Sequence, residues 1–134
     1  DGATRTVVAA AGAPLDLCAG VEGAAAARLV RVAAGLAGPA PAVLPVPAWA
    51  PVAGTIAGVV PLGAGGCGAL LLRDGAAARV LQASGNAPTP SVLELPASLR
   101  AGAIYRCRRH VLVVGARRAG GIERASVAVT AIVR

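Results

Sequence analysis

An antiparallel β-sandwich is the fold class that this sequence predicts, and three observations carry it. Short apolar runs recur about every ten residues between Gly, Pro, Asn and Asp turn signals, which is the spacing of strands in sandwiches and barrels. Hydrophobic residues make up 56% of the chain, yet Phe and Met are absent and Trp and Tyr occur once each, so any core is built from Val, Leu, Ile and Ala. Such side chains suit thin, closely spaced β-layers. Long β-rich runs at 104–114 and 126–133 are the third sign. With 134 residues the chain reads as a single domain, 1–134, large enough to bury roughly two-thirds of its unfolded surface.

Residues 4–10 open as a first strand closed by Gly12 and Pro14, and 12–18 read as a second. In that second strand Leu15 and Leu17 share one parity and Cys18 the other, so leucines and thiol point to opposite faces unless a bulge intervenes. Residues 22–38 admit two readings. Leu29, Val32, Ala33 and Leu36 fall at helical spacing before the stop signal Gly38-Pro39, which fits one short helix. Arg28-Leu29-Val30-Arg31-Val32 also alternates as a strand would, and the β-like sequence downstream favours the strand.

Prolines at 39, 41, 45, 47 and 51 exclude a central strand or a helix interior, leaving an extended edge or crossover. Trp49 within that segment is either a lid over one end of the core or an exposed anchor for a partner. Runs at 55–62, 69–73, 78–82 and 92–95 follow as short strands. Asp74-Gly75 makes a hairpin turn between two of them, because both residues tolerate positive φ.

The closing hairpin is the clearest element, with 104–114 and 126–133 as arms and 115–122 as the loop. Period two then places Tyr105, Cys107, Val111 and Val113 on one face of the first arm and Arg106, Arg108 and His110 on the other. Arg109 breaks the pattern. Val127, Val129 and Val133 share one face of the second arm.

The stretch Ser98-Leu99-Arg100-Ala101-Gly102-Ala103-Ile104-Tyr105-Arg106-Cys107 resembles the E–F corner and strand F of an immunoglobulin-type domain. The resemblance implies an immunoglobulin-like sandwich in which Tyr105 is buried with its hydroxyl bonded to backbone. It also implies that Cys107 sits in the core bonded to Cys18, leaving Cys67 unpaired, and that Arg109 marks the rim where the core opens into loops. Apart from the resemblance, the odd count of cysteines leaves other states open after that one. Cys67 bonded to either of the others, or three reduced thiols buried as small hydrophobes, satisfies it too.

Catalytic chemistry finds little footing, so a non-enzymatic role is expected. His110 is the only histidine, the six acidic residues are scattered, and the glycines of 63–68 lack the helix and the later acid of a nucleotide site. Without a CxxC or a Cys/His cluster the sequence names no metal and no cofactor. No apolar run reaches the ~18 residues of a membrane span.

The net charge of +7, carried on the basic side entirely by arginine, suits an acidic partner. A GC-rich coding bias would supply the same arginines merely as a solvated face. Arg106, Arg108, Arg109, Arg117, Arg118 and Arg124 all fall on the closing hairpin. Of these, Arg106, Arg108, Arg117 and Arg118 are expected to converge as a contact surface, since guanidinium forks match carboxylates, sulfates and phosphates.

Near-absence of aromatic residues argues against nucleic acid, which stacks its bases on them. The expectation is an extracellular or virion-surface interaction domain recognising an acidic protein or glycan. A structural subunit of a virion, phage tail or extracellular filament is the alternative, and a basic nucleic-acid-binding protein a second. The chain opens at Asp1 without Met or a signal-type region, which reads as a trimmed mature segment compatible with export.

Overall fold

A computed structural model of the chain describes residues 5–11, 16–22, 28–35, 38–44, 46, 55–63, 66–73, 77–84 and 90–132. Among them are eleven strands and no helix, arranged as three antiparallel sheets that each follow chain order. The first sheet is β1 (Arg5–Ala11), β2 (Asp16–Glu22), β3 (Arg28–Gly35) and β4 (Gly38–Leu44). The second is β5 (Ile56–Gly63), β6 (Gly66–Arg73), β7 (Ala77–Ser84) and β8 (Ser91–Glu94). The third is β9 (Leu99–Cys107), β10 (His110–Ala119) and β11 (Ile122–Ala131). The all-β, sandwich-like class read from the sequence is therefore the one observed, with three sheets in place of two.

Alternation along the strands tells which sheet lies between the others. On β6, Cys67, Ala69 and Leu71 are buried in one cluster with Cys18, Leu29 and Leu44 of the first sheet. Leu70 points the other way, into a second cluster with Ile104, Val111 and Val113 of the third sheet. β7 repeats the division, with Leu81 and Ala83 on the first side and Ala78 and Val80 on the second. A strand covered on both faces needs apolar residues at every position, so β6 reads Gly-Cys-Gly-Ala-Leu-Leu-Leu without polar alternation. Each fully buried leucine contributes about 1.5–3 kcal/mol relative to exposure.

Two further contacts tie the layers together. A Cβ added at Gly20 of β2 would lie 2.9 Å from Ile56 Cδ1, so the absent side chain lets the first sheet approach the second. On the opposite side the buried amide of Gln82 donates to the Ala131 carbonyl oxygen at 3.0 Å, linking β7 to β11. That bond satisfies a polar group that would otherwise cost about 1–3 kcal/mol to bury.

Residues 28–35 form the strand rather than the helix, because Leu29 is needed in the core opposite Gly20 and Leu44. β4 is the edge strand the prolines foretold. Pro39 and Pro41 share one parity, so both nitrogens that lack a hydrogen face away from β3. Trp49 and the Asp74-Gly75 turn lie outside the described residues.

The closing hairpin is corrected. Residues 104–114 are not one strand: a two-residue turn at Arg108-Arg109 ends β9 and starts β10, with His110 opposite Cys107. The 115–122 loop is likewise mostly strand, since β10 and β11 continue to the two-residue turn Gly120-Gly121, where φ is 59° and 81°. Positive φ at both positions is the hairpin geometry that matches strand twist.

Candidate interaction face

The third sheet has one buried and one open face, and the turn at Arg108-Arg109 decides which residues go where. Ile104, Val111 and Val113 point inward to the second sheet. Because Cys107 stands opposite His110, the opposite parity of β9 and β10 shares the outer face. One outer row is therefore Tyr105, Leu112 and Val129, and the next is Ala103, Val114 and Val127. Tyr105, Val114, Val127 and Val129 are exposed, with Val129 at 60% and Tyr105 at 54%. Contiguous exposed apolar residues of this kind mark interaction surfaces more often than scattered single ones do.

The register shifts between Val114 and Gly115, where Gly102 of β9 is passed over. Gly115 allows it, since a methyl group there would overlap the Arg100 carbonyl oxygen. Beyond the bulge Leu99 is turned inward, buried at the far end of β9.

The four arginines expected to converge do not. Arg106 and Arg108 stand at the β9–β10 turn, and Arg117 and Arg118 stand by the β10–β11 turn. From Val111, opposite Arg106, to Arg117 the strand rises about 20 Å. They stand at the two ends of the sheet instead of gathering at one tip. The register puts Arg106, opposite Val111, and Arg117, opposite buried Leu99, on the inward parity. Of the four, only Arg118 shares the outer face with the apolar rows.

Arg106 reaches back over β5, with a guanidinium nitrogen 3.2 Å from where a Gly63 Cβ would be, and its Nε donates to the Arg108 carbonyl at 3.0 Å. Arg117 Nε donates to Ser98 Oγ at 2.9 Å. Arg118 lies on the outer face opposite Glu123. All four side chains remain exposed.

The roles implied by the immunoglobulin resemblance are also corrected. Tyr105 is exposed rather than buried at a corner, and Cys107 is an exposed free thiol. The disulfide joins Cys18 to Cys67, both fully buried, across the first and second sheets. Parity is the reason, because the inserted turn puts Tyr105 and Cys107 on the side opposite Val111 and Val113. Arg109 is exposed in the turn, where its carbonyl accepts the Ile132 amide at 2.8 Å.

Sequence reasoning did not single out Leu112, Val114 and Val127 as a surface. The available signal was the valine alternation on β11, where small Ser126, Ala128 and Thr130 take the half-buried positions and the valines face out. Among the described residues no group of His, Cys, Asp and Glu could hold a metal ion, and no helix is long and apolar enough to cross a membrane.

What the fold and face define is a layered all-β protein with a disulfide between sheets and an open apolar sheet face, with exposed arginines at the two ends of its strands. No known family model, curated protein or solved structure matches the chain.

Proposed function

We propose that this chain is a non-enzymatic interaction domain that binds an acidic protein through the outer face of its third sheet. The observation that carries the reading is the set of rows Tyr105–Leu112–Val129 and Ala103–Val114–Val127, in which Tyr105, Val114, Val127 and Val129 are exposed, with Arg118 on the same face and further exposed arginines at the two strand ends. Apolar rows supply area to bury, and these guanidinium groups select a partner with carboxylates at matching positions. A protein offers both kinds of surface, whereas a sulfated glycan offers only the anions. The buried disulfide is compatible with an oxidising compartment, which favours the outside of a cell or a virion surface as the place of action.

Selection from a displayed random-peptide library tests this directly. Bound sequences are expected to combine acidic with apolar residues, and a selected peptide should bind more weakly as salt rises, with a Debye length of about 8 Å at physiological ionic strength. Binding should fall at least tenfold in the Arg117→Glu, Arg118→Glu double variant and in Tyr105→Ala, with both variants still folded. Peptides without acidic bias, or binding indifferent to both variants, would exclude the reading.

A further inference from the structure

We infer that β11 pairs antiparallel with β11 of a second copy, about a twofold axis passing beside Ala128, so that two third sheets become one. The inference does not rest on the partner proposed above. It begins with the edge itself. β11 is the outer strand of its sheet, and from Ala125 to Ala131 it carries no charge, no proline and no glycine.

Sheet edges invite another strand unless something blocks them. At three of the other edges something does, and the remaining two, β1 and β5, lie against each other. β4 has Pro39 and Pro41, β8 is only 4 residues long and ends in the ion-paired Glu94, and β9 carries Arg100, Arg106 and the bulge at Gly102. β11 has none of these.

Main-chain direction fits the pairing. Ala119 and Ile122 close the two-residue turn, so even-numbered residues of β11 direct their N–H and C=O groups to β10, and odd-numbered ones to the free edge. The Ile132 amide bonded to the Arg109 carbonyl keeps that parity. Val127 and Val129 therefore present unused donors and acceptors outward. The Ala131 carbonyl is already held by Gln82, which confines the addition to the stretch before it.

Side chains then select the partner. Read in either direction from Ala128, the sequence Ala-Ser-Val-Ala-Val-Thr-Ala is the same except for Ser126 against Thr130. An antiparallel copy centred on Ala128 sets Val127 against Val129 and Ser126 against Thr130, each with its like and each on a common face. Cross-strand pairs of β-branched residues and of hydroxyl residues are the favourable ones. No like charges meet within this stretch, and Val127 and Val129 of both copies continue the same apolar outer face across the join.

Sedimentation equilibrium of the whole chain under reducing conditions, which prevent a link through Cys107, tests the pairing. A monomer–dimer equilibrium is expected whose association strengthens as salt rises, because two copies of charge +7 repel less when screened. This is opposite in sign to the salt response expected for an acidic partner. The Val127→Lys, Val129→Lys double variant should associate at least tenfold more weakly while melting as the parent does, since both positions are exposed.

The corresponding double glutamate variant should also be monomeric, and mixing the two should restore a dimer of one of each. Val127→Pro, which removes an edge-facing N–H alone, should weaken pairing as well. A parent that stays monomeric at its highest soluble concentration, or lysine and proline variants that dimerise like the parent, would overturn the inference.

Discussion

Cys18 on β2 and Cys67 on β6 are bonded with their Cα atoms 6.0 Å apart and both side chains fully buried, so the first and second sheets are cross-linked through the core. The bond closes a sequence separation of 49 residues. In the chain-entropy picture a loop of that length is worth about 4 kcal/mol. Its position within the shared cluster beside Leu29, Ile56 and Leu71 means that the same contacts hold the cysteines in register.

Non-reducing peptide mapping should therefore return a Cys18–Cys67 linked peptide, with Cys107 alkylated by iodoacetamide in the native state. Replacing both Cys18 and Cys67 by alanine should lower stability by about 2–5 kcal/mol. A Cys107 that resists alkylation until the chain is denatured would contradict its exposure.

A second sheet covered on both faces makes its own demand. Leu70→Ala and Leu71→Ala, adjacent on β6 but facing different clusters, should each cost about 2–5 kcal/mol in urea unfolding. Were one of the two positions to tolerate alanine within experimental error, the corresponding face would not be packed as described.

Glycine substitutions separate crowding from conformation. Gly115→Ala meets the Arg100 carbonyl at the bulge and should cost about 1–3 kcal/mol. At Gly120 nothing surrounds the Cβ position, and only the φ of 59° penalises a side chain, by about 1–2 kcal/mol. Thermal melts in which Gly115→Ala matches the parent would show that the bulge is absent.

Arg108 has φ of 53°, a left-handed conformation in a residue that disfavours it. Arg108→Gly should raise the melting temperature, by a free energy of up to about 1 kcal/mol after the added chain entropy is offset. The Arg106 bond to the Arg108 carbonyl is to main chain and survives the change. A lower melting temperature would mean the turn is built differently.

Tyr105 on the open face should behave as a surface residue. Tyr105→Phe is expected to change stability by less than about 0.5 kcal/mol, the usual range for exposed positions. A loss near 1 kcal/mol would restore the buried hydroxyl that the immunoglobulin resemblance implied.

The all-β class, the edge character of the proline segment and most strand positions were legible from residue types alone, because Pro39 and Pro41, the absence of large aromatics and the recurring turn residues act locally. The strand at 28–35 was legible with a rival. Its helical spacing is broken only by the partners that Leu29 finds in Gly20 and Leu44.

What only the tertiary structure decided turns on parity. Arg108-Arg109 carries no Gly, Asn, Asp or Pro to announce a turn, yet a two-residue turn there moves Tyr105 and Cys107 out of the core and spreads four arginines to two ends of one strand. One slip of period two reverses every face that follows it. The cysteine pairing and the double burial of β6 were settled in the same way, by which sheet came to lie on each face, and stacking of sheets joins residues too distant in sequence for local pattern to encode.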